Sequence, residues 1–333
     1  MTFHLFGNIL TNFGTAANNR GENEGNITTL QKLMWRGEIH SMVSAEAIRW
    51  ALRYYWQTAE IDDETNRTWN DLTNENDWVD RASFNPVRFI DDDVLGYMDA
   101  KKAKEDESDI ADEEEVTVAA QPKSKGKGRK ASGNSAPKGT ATVRRGVLEV
   151  NRAVSLIPYA GDLTFNAASV GATPSASKAG KNPAPYATEV HATRYQYGFA
   201  MTPARLVKQE RIITVLEGLT SLSEVGGNHS RFLYDFSPDS VVLRWTHDFA
   251  ARLFYCFGED ESGAISVPEL VRRVRVGDID PQELWIAGPI ADSEEIEELT
   301  EMGVNIFEGV KSGVANLIRQ IQTDLNIRQL VSA

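Results

Sequence analysis

Cysteine is nearly absent from this chain, with one in 333 residues. A disulfide within the chain and any multi-thiolate metal site are thereby excluded. That residue, Cys256, lies in the apolar run Leu253-Phe254-Tyr255-Cys256-Phe257 and reads as a small buried hydrophobe. The five histidines, His4, His40, His191, His229 and His247, are dispersed, and none has a metal-type spacing such as HExxH. There is no Walker phosphate loop, no G-x-G-x-x-G after a strand and no GxSxG elbow. No run has the length and apolarity of a membrane span, and the N-terminus lacks a basic region followed by a long apolar core. The expectation is a soluble cytoplasmic protein with no cofactor, no metal and no membrane partner. With 41% hydrophobic residues, it can bury one large core or two modest ones.

Positive charge is also scarce overall, with a formal net charge of −13. The acidity is local. From Glu60 to Glu115 there are 20 acidic and 6 basic residues, a balance of −14, which leaves the rest of the chain at +1. Directly after it, Lys123 to Arg145 carries 8 bases and no acid in a Gly-, Ser-, Ala- and Pro-rich background that cannot build a core. Residues from about 100 to 140 are therefore expected to form a mobile loop. Its basic half reads either as a solvated linker or as a loose contact for polyanions.

What is present begins with the string RGEIHSMVSAEAIRWALR, Arg36 to Arg53. Ser44 is suited to cap a helix, and Glu46 places negative charge in its first turn. Ala47, Ile48, Ala51, Leu52, Tyr54 and Tyr55 make a broad apolar face, while Arg49, Arg53 and Trp56 recur on another. Free amides at such a helix start bind phosphate, and His40, Ser41 and Ser44 add donors beside them. The alternative is a capped amphipathic helix whose arginines are solvated. A second donor-rich segment lies far away at Gly226-Gly227-Asn228-His229-Ser230-Arg231, where glycines allow close approach of a ligand. Alternating apolar runs, Val190 to Met201 and Val241 to Trp245, read as strands, as does Phe3 to Leu10.

Five stretches in this order resemble a known family. They are the opening strand with the Asn-rich turn Asn12 to Asn26; the helix start Ser41-Met42-Val43-Ser44-Ala45-Glu46-Ala47-Ile48-Arg49; Ile157 to Asn166; Thr193 to Ala200; and Leu216 to Trp245. The chain resembles the backbone subunit of a Cascade-type CRISPR effector complex, in the DevR-like branch of the repeat-associated RNA-binding superfamily. The resemblance covers most of the sequence outside the low-complexity region.

It implies an α+β fold: a modified RNA-recognition (ferredoxin-like) palm with inserted finger and thumb elements. Residues 1–56 would form the first half of the palm, 57–145 a finger-type insert, 146–165 a return to the palm, 166–190 a thumb-type hairpin, and 191–333 the second half with C-terminal helices. Taken from the residues alone, 166–190 is a flexible surface hairpin. The implied partners are CRISPR RNA, target DNA through the guide, further copies of the chain and other Cascade subunits. The family's phosphate-binding role falls on Arg20, Lys32, His40, Ser41, Ser44, Arg49, Asn228, His229, Ser230 and Arg231, with Arg194 beside Tyr195 and Tyr197 as further candidates. Such binding tolerates any base sequence, because pairing between guide and target supplies selectivity. Each tyrosine alone also reads as core, since an alternating strand buries every second side chain.

Related subunits of another CRISPR class cut RNA with a loop aspartate, which draws attention to Asp91, Asp92, Asp93 and Asp162. The branch resembled here is not a nuclease, so no catalysis is expected. Gly258 to Glu269 partly fits a calcium loop but lacks the first carboxylate, and the same residues read as a turn followed by a helix that Ser266 caps. Ser293 to Leu330 reads as helical by its apolar spacing and as a lid on the sheet. A stand-alone, autoregulatory nucleic-acid-binding protein sharing the fold is the alternative function.

Overall fold

The opening apolar run forms the strand its sequence calls for: His4–Thr11 is buried at every position. In the computed structural model, which describes residues 1–17, 23–25, 27–59, 61–81, 83–100, 141–168, 184–225 and 234–327, it pairs antiparallel with Tyr195–Met201 on one side and Pro238–Thr246 on the other. Burial on both edges and both faces explains why the run carries no charged residue and why its polar members, Asn8 and Thr11, are hydrogen-bonded inside the protein. Gly7 is required for this packing, because a Cβ there would lie 2.2 Å from Phe199 Cε1.

Among the described residues these strands centre a nine-stranded sheet. Its order is Asn305–Phe307, Leu284–Ala287, Pro238–Thr246, His4–Thr11, Tyr195–Met201, Ala153–Ser155, Glu38–Val43 and Lys32–Trp35, with Leu148–Val150 also pairing Tyr195–Met201. The pairing of Leu284–Ala287 with Asn305–Phe307 is parallel. The pairings of Pro238–Thr246, His4–Thr11 and Tyr195–Met201 are antiparallel.

Strand alternation sends side chains into two cores. Leu5, Ile9, Tyr195, Tyr197, Phe199 and Leu243 pack with the helices Ala45–Thr58, Arg211–Leu219 and Val310–Asp324. On the other face Phe6, Leu10, Val242 and Ile286 meet Leu253, Phe257 and the helices Pro268–Arg275 and Glu294–Glu301. Each fully buried Leu, Ile or Phe contributes roughly 1.5–3 kcal/mol. Asn8 is buried on this second face, where its Nδ2 donates to Gln196 Oε1 at 3.2 Å and its Oδ1 accepts from Tyr255 N at 3.1 Å. Gln196 completes the clasp by exchanging two bonds with the Phe257 backbone. Cys256 lies inside it, and burial pushes its thiol up to about 12.

Several expectations need correction. Tyr195–Met201 does not alternate between buried and exposed, since an interior strand with a core on each face hides both sets of side chains. The C-terminal region is not continuously helical: Ile306 belongs to the strand Asn305–Phe307, between the helices Glu294–Glu301 and Val310–Asp324. The second of these helices does pack on the sheet, through Val314, Leu317 and Ile321. Ser266 caps nothing. It lies in a short hairpin with Gly258–Glu259, and the helix begins at Pro268 with Val267 before it.

The chain divides into one unit of residues 1–96 and 145–333 and a second of 97–144. The strands Gly96–Ala100 and Ala141–Arg145, which fall in the second except for Gly96 and Arg145, pair as a two-stranded sheet. Residues 61–96, which the sequence reading assigns to the insert, are part of the first unit. Among the described residues no helix is long and apolar enough to cross a membrane.

Candidate nucleic-acid interface

Three of the segments singled out in the sequence are rooted around one hydroxyl. Thr11 ends the opening strand and leads into the Asn-rich turn; Thr193 and Arg194 join two strands; Tyr234 follows the Gly-Gly-Asn-His-Ser-Arg run. The Tyr234 hydroxyl lies 2.7 Å from Thr11 Oγ1, and its one proton faces the carbonyls of Asn12 at 2.9 Å and Thr193 at 3.3 Å. Thr11 Oγ1 also accepts from Tyr195 N at 2.9 Å. Arg194 reaches the Thr11 carbonyl at 3.4 Å and Asp239 at 3.3 Å, with its side chain 20% exposed. Asn12 Nδ2 donates to Asp235 and Ser237. Arg20, Asn228, His229, Ser230 and Arg231 lie outside the described residues; in sequence, Asn12 precedes Arg20 by eight positions and Tyr234 follows Arg231 by three.

A second layer continues from Tyr195. Ser41 Oγ lies 2.7 Å from Tyr195 Oη and 2.7 Å from His191 Nδ1. The Tyr159 ring stands edge-on to His191, and Lys32 Nζ sits 4.9 Å above Tyr159 while pairing with Glu189 at 2.6 Å. Glu189 also accepts from Leu30 N. Burial holds His191 down to about 4, so its ring is neutral at physiological pH. His40 is buried as well, with Nδ1 at 2.7 Å from the Ser155 carbonyl. The donors of His40 and Ser41 are thus engaged inside the protein, and Lys32, cross-strand from Ser41, stands at the surface.

Ser44 behaves as its sequence position suggests, accepting from Ala47 N at 3.2 Å as the cap of Ala45–Thr58. The arginine face of that helix, in contrast, is turned inward. Arg49 Nη2 donates to the Leu95 carbonyl, Arg53 lies 3.8 Å from Asp91, and Trp56 is core. Burial, with Arg67 beside it, lowers Arg53 to about 10. The amphipathic pattern misassigned this face because the neutralising carboxylates lie about forty residues away in the chain.

Those carboxylates are Asp91, Asp92 and Asp93, in the short helix Ile90–Val94. All three are buried. Asp91 accepts from the amides of Asn66 and Arg67, Asp92 from Asn85 N and Asn66 Nδ2, and Asp93 from Val207 N and Arg211 Nη1. Arg211 bridges Asp93 at 2.9 Å and Asp63 at 2.6 Å and also donates to the Pro86 carbonyl. The geometry is that of a cross-link between segments, with the acceptors filled by protein donors. Asp162 presents its carbonyl to Val190 N and the Tyr159 hydroxyl. At the calcium-like loop, Asp260 Oδ1 accepts from Ser262 N, Ser262 Oγ and Ala264 N, so the carboxylate closes a turn. Among the described residues no group of three or more His, Cys, Asp or Glu is placed to hold a metal ion.

Sequence reasoning missed Tyr234, Thr11 and Glu189. Their roles rest on partners 41 to 223 residues distant, a pairing that no local pattern carries. Tyr159 lay inside a quoted motif without an assigned task.

No family model matches the chain. It is 45% identical over 320 residues to the "CRISPR-associated protein Cas7/Cst2/DevR" of Myxococcus xanthus (strain DK1622), covering 93% of this chain and 95% of that protein. Among solved structures, a chain of a "CRISPR RNA-guided surveillance complex, pre-nicking" superposes with a TM-score of 0.59 at 11% identity, over 95% of this chain and 99% of that one. A chain of a "CRISPR RNA-guided surveillance complex" gives 0.52 at 14% identity, over 96% and 100%. These structures share the mixed α/β fold. The extent and identity of the first match establish that the chain belongs to the Cas7/Cst2/DevR family of CRISPR-associated proteins.

Proposed function

We propose that the chain is a CRISPR RNA-binding backbone subunit that lines up in several copies along a guide within a Cascade-type complex and presents it for pairing with target DNA. The observation that carries this reading is the convergence at Tyr234. Thr11 and Asn12, which lead into the Asn-rich turn, the Thr193–Arg194 junction, and Tyr234, which follows the Gly-Gly-Asn-His-Ser-Arg run in sequence, meet at one end of the central strands, and in this reading that end of the sheet faces the guide. Lys32 and the Ser44 helix start lie at the two ends of the neighbouring edge hairpin and its continuation. Backbone amides, hydroxyls and cations of this kind hold phosphates without reading bases, as a carrier of variable guides needs.

In this reading the nine-stranded sheet is the RNA-recognition palm. The antiparallel hairpin Leu163–Ala168 with Ala184–Thr193 is the stem of the thumb, and the segment from residue 57 through 145 supplies the finger. His40, Ser41 and Arg49 support the surface from within, through Ser155, Tyr195 and Leu95 respectively. The near-neutral balance outside residues 60–115 spares RNA phosphates the repulsion that the overall net charge would suggest. The subunit performs no bond cleavage in this scheme; the Asp91–Asp93 carboxylates are satisfied by internal donors. Fate of the target rests with other subunits.

The test is a salt titration of CRISPR RNA binding with Arg194→Ala, His229→Ala and Arg231→Ala combined. Loss of affinity with a shallower salt slope, about 0.7 per phosphate contact removed, supports the reading. Unchanged affinity and slope would refute the placement. RNA-free protein in a defined small oligomer would favour the autoregulatory alternative.

A further inference from the structure

The edge hairpin has a second face. Lys32 and Ser41 point to one side, and strand alternation sends Leu33 and Trp35 to the other. There the Trp35 ring lies 4.7 Å from the ring of Tyr255, tilted by 53°, and both residues are half-buried. The Tyr255 hydroxyl donates to the Arg152 carbonyl at 2.8 Å, which brings Arg152 beside the pair. Arg36 follows Trp35 directly. Arg36 and Arg152 are exposed, and no ion-pair partner holds either guanidinium among the described residues. Arg252, also exposed, is matched by Asp248 at 3.1 Å. Glu38, cross-strand from Trp35, is the nearby carboxylate on the hairpin.

The backbone here is unusual. Arg36 and Gly37 form a two-residue turn with φ of 50° and 92°, a position that favours Asn-Gly, yet arginine occupies it. Arg252 and Tyr255 also adopt left-handed conformations, at 56° and 54°. Three of the five non-glycine residues with positive φ among the described residues thus come from the two segments that meet at this aromatic pair. Such strain persists where the surroundings fix it, and it concentrates at ligand-binding sites. The hydrogen bonds of Asn8 and Gln196 to residues 255 and 257 supply that fixation from beneath.

We propose that Trp35 and Tyr255 form a stacking platform for one base of single-stranded RNA, with Arg36 and Arg152 on the flanking phosphates. This rests on the guide-carrier reading and adds to it a contact surface on the opposite face of the hairpin from Lys32. Aromatic faces accept any base and guanidinium groups neutralise the backbone, so the platform is sequence-tolerant.

The test uses the full chain with oligouridylate RNA as the probe, comparing Trp35→Ala with the double variant Arg36→Glu/Arg152→Glu. The double variant is expected to lose affinity roughly tenfold or more and to lower the salt slope by about 1.4, two contacts' worth. Trp35→Ala is expected to lose affinity roughly tenfold with the slope unchanged, because stacking is uncharged. Thermal midpoints serve as the folding control, since the two arginines are exposed. Wild-type affinity and slope in both variants would overturn the platform while leaving the guide-carrier reading intact. Weakened self-association with unchanged RNA binding would overturn it in favour of a protein contact. A wild-type chain that binds no RNA would sink both.

Discussion

The Tyr234 hydroxyl lies 2.7 Å from Thr11 Oγ1 across 223 residues of chain, both groups buried. Replacing Tyr234 with Phe keeps the ring among Tyr195 and Phe236 and removes only the oxygen. The Asn12 and Thr193 carbonyls then lose a donor, at a cost of about 1–2 kcal/mol. Urea unfolding should report that loss, and RNA affinity should fall in the same variant because the roots of the binding segments are no longer held together. Lower stability with wild-type RNA affinity would separate the hydroxyl from the interface.

Arg211 is fully buried with Asp93 and next to Asp63. Arg211→Met leaves those carboxylates without their main cation and should destabilise the chain by about 3–5 kcal/mol. Lysine should not restore it, since one ammonium cannot span both carboxylates and the Pro86 carbonyl as a guanidinium fork does. Chemical denaturation of the three proteins checks this.

His191 gives a pH dependence with a defined sign. Burial lowers its folded pKa to about 4, below the unfolded value near 6.5. Between those values the unfolded chain binds the extra proton, so stability falls as pH is lowered through this window. The contribution is on the order of 1–3 kcal/mol, complete above pH 6.5 and lost by about pH 4. His191→Gln should flatten the stability curve across that window; an identical slope in both proteins would contradict the assignment.

Gly7→Ala should cost about 1–3 kcal/mol, because the added methyl meets the Phe199 ring and Leu243 in a filled core. Thermal unfolding of the variant, followed by circular dichroism, measures it.

Local patterns carried much of this structure. The opening strand, the Ser44 cap and the hairpin around residues 163–193 follow from runs and punctuation within a few residues. Arg49 and Arg53 went astray because their partners, the Leu95 carbonyl and Asp91, come from a segment that helical periodicity does not see. The strand Asn305–Phe307 was hidden because its three residues fit the helical spacing of their neighbours and owe their form to parallel pairing with Leu284–Ala287. Lys32 was legible as a surface cation, but its clamp by Glu189 and Tyr159 was not. The family resemblance rested on the order of motifs, and the 45% identity to the Myxococcus protein bears it out.

The central claim is settled most directly by the native mass of the protein purified from cells that co-express a CRISPR array. Discrete CRISPR RNA carrying several copies of the chain is the expected species, dispersing as salt is raised. A nucleic-acid-free monomer or small closed oligomer at low salt would contradict it.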